Sequence, residues 1–131
     1  MIYAINFWAV LVATIVAFLF GWLWYSKTVF GGIWMKLVKP SKNNSPALSM
    51  IAGFITMFIT TYVLGMFIVS TDNATFAGGV LVALVVWIGL SLMKSLGEMI
   101  WQDKSAKLFW IALFHDLISF LIIGAILGAW L

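Results

Sequence analysis

Residues 105–131 read SAKLFWIALFHDLISFLIIGAILGAWL. A helix of that length, at ~1.5 Å per residue, exceeds the ~30 Å of a bilayer's hydrocarbon core. The stretch is apolar almost throughout, so it predicts a membrane-crossing helix over 106–130. At its centre stand His115, the only histidine of the protein, and Asp116. Ionisable groups at that depth are costly in hydrocarbon and need partners or a purpose. What can face them depends on the spans that come before.

The whole chain shares the character of this stretch. Of 131 residues, 65% are hydrophobic and 8% charged, too few charges to cover a soluble domain of that size. The formal net charge of +3 comes entirely from lysines, which gather at segment ends, a pattern of membrane topology rather than nucleic-acid binding. There are no cysteines, which excludes disulfides, thiolate metal sites and cysteine nucleophiles. The opening MIYAINFWAV has no basic region before its apolar run, so it reads as a retained helix rather than a signal peptide.

Three further spans are expected, over 6–26, 47–70 and 76–101. The fold class is therefore an all-α, four-helix transmembrane bundle, a single domain over 1–131. Ala9, Ala13, Ala17 and Gly21 recur every four residues on span one, and Gly124 and Gly128 do so on span four. Such stripes of small side chains let helix backbones approach closely, and they are expected to serve packing and association between copies. Between spans one and two, Phe30, Ile33, Trp34 and Leu37 fall on one helical face, which predicts a short interfacial helix ended by Pro40. On span two, Thr56 and Thr60 are expected to bond back to their own helix.

Lysine counting sets the topology. Lys27, Lys36, Lys39 and Lys42 lie in the first link, Lys104 and Lys107 flank the third, and the second holds only Asp72. The first and third links share a side in a four-span chain and should be cytoplasmic, leaving both termini outside. The expected setting is the inner (plasma) membrane.

Trp87, Ser91, Lys94 and Glu98 are spaced 4, 3 and 4, so a regular α-helix puts them on one face. Lys94 lies roughly 10 Å inside from Trp101, and His115 and Asp116 roughly 12–14 Å inside from Lys107. Consecutive helices tend to be neighbours, so a polar node of Lys94, Glu98, His115 and Asp116 is expected, joined as an ion pair or a water-linked network, with Lys94 the partner of Asp116. Trp22, Tyr25 and Ser91 are expected nearby. Adjacent His115 and Asp116 point about 100° apart on a helix, which argues against a catalytic dyad. One histidine with two nearby acids makes no usual metal set, and neither a nucleophile elbow nor a phosphate loop is present. No cofactor is expected.

Several features then fall together. Gly21-Trp22-Leu23-Trp24-Tyr25-Ser26 closes span one and Trp34 follows a glycine pair. Trp87-Ile88-Gly89 lies in span three, and Ile123-Gly124-Ala125-Ile126-Leu127 closes span four. On these residues the chain resembles, nearly end to end, the DUF1761 family of small four-span membrane proteins of unknown function. The resemblance implies four helices and a bacterial-type inner-membrane setting, and it supplies no activity, substrate or catalytic residue.

Two functional readings follow. In the first, a non-enzymatic membrane protein binds or moves a small amphiphilic or lipid-like molecule through the polar node, as a homo-oligomer in the lipid bilayer. In the second, the chain is a structural or accessory subunit whose polar residues only fix helix register. An intramembrane enzyme is the least supported, for want of a nucleophile or metal set.

Overall fold

The computed structural model describes residues 5–26, 28–37, 45–102 and 106–131. Lys27, Lys39, Lys42, Lys104 and the turn at 40–44 lie outside them, as do the side chains of Trp34 and Leu37. The helices are α1 (Phe7–Trp24), α2 (Gly31–Leu37), α3 (Pro46–Ser70), α4 (Phe76–Val86), α5 (Met93–Trp101) and α6 (Ala106–Trp130). A π-helical turn, Trp87–Leu92, joins α4 to α5 into one continuous span. Among the described residues, four helices are thus long and apolar enough to cross a membrane, and α2 is the short helix expected between the first two.

Local chemistry starts the first three spans. The Asn6 side chain accepts from the Trp8 and Ala9 amides, Ser45 from Leu48 and Thr75 from Gly78, each satisfying a donor the helix cannot use itself. Pro46 takes the first turn of α3, where its missing N–H costs nothing. Thr56 and Thr60 donate to the carbonyls of Gly53 and Thr56, the back-bonding expected of them.

The small-residue stripes decide how the spans meet. Ala9, Ala13 and Ala17 are buried against Leu64 and Ile68 of α3 and Ile123 and Leu127 of α6. Where α4 crosses α6 the backbones almost touch. A Cβ added to Gly79 would lie 2.1 Å from the Gly124 carbonyl oxygen, and one on Gly128 2.1 Å from that of Thr75. Close backbone approach is how helices gain dispersion energy in lipid, where apolar burial alone drives nothing. The stripes expected to face other copies are therefore used inside one chain. The exterior is apolar instead, with Leu19, Leu23, Ile51, Ile55, Leu81, Val85 and Leu90 exposed, as a hydrocarbon solvent requires.

The π turn is the feature that regular spacing does not foresee. The Met93 amide donates to the Ile88 carbonyl, five residues back instead of four. Each such turn holds about one residue more than an α turn, so everything after it is swung by about 100°. Trp87, before the swing, is buried against Phe109 and Leu113 of α6. Lys94, after it, is turned away from that interface.

A polar cluster at His115 and two membrane-facing clefts

The closing residues of span one form a seat for His115. Phe20 and Trp24, one turn apart, flank the gap left by Gly21. The Phe20 ring is stacked on the imidazole at a centroid distance of 5.8 Å and 10° between planes. Tyr25 and Trp24 lie at 5.1 and 6.4 Å. Gly21 makes room: a Cβ there would sit 2.8 Å from His115 Nε2. The Trp24 indole donates to the Ile111 carbonyl of α6 at 3.1 Å, pinning the end of α1 to the helix that carries His115. Phe30 folds back onto Trp24, with centroids 4.6 Å apart. This return is tight enough that a Cβ on Gly31 would meet the Tyr25 carbonyl at 2.3 Å.

His115 is 13% exposed and Asp116 43%. Their side chains do meet, His115 Nδ1 to Asp116 Oδ1 at 3.2 Å. The 100° between neighbouring directions is bridged because both side chains bend toward each other from adjacent positions. The Ser91 hydroxyl donates to the second carboxylate oxygen at 3.5 Å, and Ser119, one turn along α6, lies 3.4 Å from Nε2. The roles at the ring follow its tautomer: with the proton on Nδ1 the imidazole donates to Asp116, and Nε2 is then open to accept from the Ser119 hydroxyl. The result is one chain of contacts, Ser119–His115–Asp116–Ser91, across α6 to the π turn.

The structure therefore unites His115, Asp116 and Ser91, with Tyr25 against the imidazole. It does not unite Lys94 with Asp116. Lys94 is exposed, and among the described residues it forms no ion pair. The π turn explains the difference, since it swings Lys94 off the face that the 4, 3, 4 spacing assigns to it. Glu98 lies one turn beyond Lys94 on α5 and has a contact of its own. Trp22 is 71% exposed at the rim of a cleft and does not touch the cluster's core. Sequence reasoning missed Phe20, Trp24 and Ser119, and it took Gly21 for a packing residue alone. Two signals were present: Ser119 is four residues from His115, and Phe20 and Trp24 are four apart around a glycine. Among the described residues no three His, Asp or Glu side chains gather into a metal-ligand set.

Two cavities flank the cluster. The larger, about 740 Å³, lies between α1 and α3. Its walls are Ala17, Phe18, Gly53 and Met57, with His115, Tyr25 and Ser49 supplying its polar groups. The smaller, about 390 Å³, runs between α3 and the π turn, lined by Ile59, Thr60, Val63, Leu90, Ser91 and Lys94 among others.

No curated protein and no solved structure matches the chain. A family profile described as protein of unknown function does match, over residues 8–128, which spans all four helices. The chain thus belongs to the DUF1761 family.

Proposed function

We propose that this is a non-enzymatic membrane protein that binds a small amphiphile in the α1–α3 cleft, with its polar end against His115 and Tyr25. The cleft itself carries the reading. At about 740 Å³ it is in the size range of small-molecule sites, with apolar walls and a few convergent polar groups. His115 is held in place by ring stacking, Asp116 and Gly21, so the site is preorganised. The burial of Ser119, 2% exposed, supports a packing role rather than that of a nucleophile. The lysine-bearing links are on the cytoplasmic side, by the excess of positive charge there, so the cleft belongs to the cytoplasmic half of an inner membrane. One chain forms the cleft, so binding does not call on a homo-oligomer. Transport of the amphiphile is the stronger form of the same proposal.

The test uses a bromine-labelled alkyl amphiphile, which quenches tryptophan on contact, with Trp22 at the cleft rim as reporter. Saturable quenching of the wild type, reduced in Trp22→Phe, is expected. Gly53→Leu should abolish it, because a Cβ there meets only Phe18, at 3.8 Å, and the longer side chain then fills the cleft. Quenching that never saturates, or that survives Gly53→Leu, removes the proposal and returns the accessory-subunit reading. Proteoliposome flux of the same amphiphile tests transport.

A further inference from the structure

The second groove lies further along α3, against α4 and the π turn, and shares no lining residue with the cleft. We infer that it is a separate site for an anionic phospholipid, whose acyl chain lies along Ile59, Val63 and Leu90 and whose headgroup is held by Lys94. Four observations lead there.

Lys94 stands seven residues inside Trp101, roughly 10 Å of helix, and a cation at that depth requires a counter-charge. Among the described residues Lys94 forms no ion pair. Asp116 engages His115 and Ser91 with its two oxygens, and Glu98, one turn along α5, has a contact of its own. Finally, Lys94 is exposed and lines a groove of about 390 Å³ whose remaining lining is apolar but for Thr60 and Ser91. A cation in the wall of an otherwise apolar channel is complementary to a lipid anion with its chain. The π turn makes this possible, because a regular helix would aim the ammonium at α6 rather than into the groove.

The probe is an equimolar mixture of phosphatidylglycerol and phosphatidylcholine, offered to the purified full chain in detergent and read by native mass spectrometry. The wild type should retain one phosphatidylglycerol with about fivefold preference, the size expected for one lysine facing one anionic headgroup. Lys94→Gln should bring the preference to about one, while Lys94→Arg and Lys107→Gln keep it. Val63→Phe leaves the lysine in place and fills the groove, so it should also lose the preference. No preference in the wild type, or a preference that persists in Lys94→Gln, overturns the inference. So does one that persists in Val63→Phe, since the lysine would then only be reaching the interface. Should Lys94→Gln fail to fold, Val63→Phe decides by itself. The cleft proposal is untouched by any of these results, because none of the substituted residues lines the cleft.

Discussion

Gly21→Ala adds a single methyl group, and it should damage the protein through His115 alone. The new Cβ would lie 2.8 Å from Nε2, whereas ordinary contact begins at 3.4 Å, so the imidazole must retreat by about 0.6 Å. It has no slack for this. Phe20 is stacked on the ring, and the contact to Ser119 is already at 3.4 Å. Retreat breaks that bond, worth about 0.5–1.5 kcal/mol, and weakens the stronger one to Asp116, worth about 1.5–3 kcal/mol. Against this stands the gain of about 0.5–1 kcal/mol from replacing a helical glycine by alanine. The net loss should be about 1–2 kcal/mol. Reversible unfolding in mixed micelles, followed by circular dichroism, measures it. The decisive comparison is a cycle with His115→Ala, which removes the obstructing ring. In that background Gly21→Ala should be neutral or stabilising by up to about 1 kcal/mol. A coupling energy within about 0.5 kcal/mol of zero would refute the assignment of Gly21 as the seat of His115.

Four other outcomes are expected. Gly79→Ala forces a methyl group into the Gly124 carbonyl and should cost about 3 kcal/mol or more, seen as loss of monodisperse protein in size-exclusion chromatography. Gly97→Ala, with nothing within 4 Å, should raise thermal stability slightly. Trp24→Phe should cost at least the lost bond to Ile111, about 0.5–1.5 kcal/mol, whereas Trp22→Phe on the exposed rim should stay within about 0.5 kcal/mol of the wild type in the same unfolding assay. Finally, Lys94→Met and Asp116→Asn should be additive within about 0.5 kcal/mol, and Ser91→Ala with Asp116→Asn should not, since only the second pair shares a contact.

The spans were legible because hydrocarbon imposes one requirement, a long apolar helix, and the chain writes it four times. The small residues were legible as packing positions for the same reason, yet their partners were not. Ala9, Ala13 and Ala17 fit another chain of this protein as well as they fit Leu64 and Ile123, and only the assembled bundle chooses. His115 and Asp116 stood out by the cost of charge in lipid. Their real surroundings depend on rotamers and on which turn of α1 lies opposite, neither of which has a period in the sequence. Lys94 was misplaced for a sharper reason. Counting by 3.6 residues per turn assumes the same hydrogen bond throughout, and at Trp87–Leu92 the helix makes a different one.

That departure also sets an arithmetic on the chain. A span containing a wide turn holds one residue beyond what the same path needs as α-helix. The surplus sits at the turn where Gly89 has nothing within 4 Å of the place a Cβ would take. Removing one residue there closes the turn to α and leaves the helices on both sides in place. The same deletion at Ala83 tears apart the crossing with α6. The bundle thus has one position in its third span at which its length is negotiable, since a chain shorter by one residue there keeps Lys94 on the same side of the span with α-helical bonds alone.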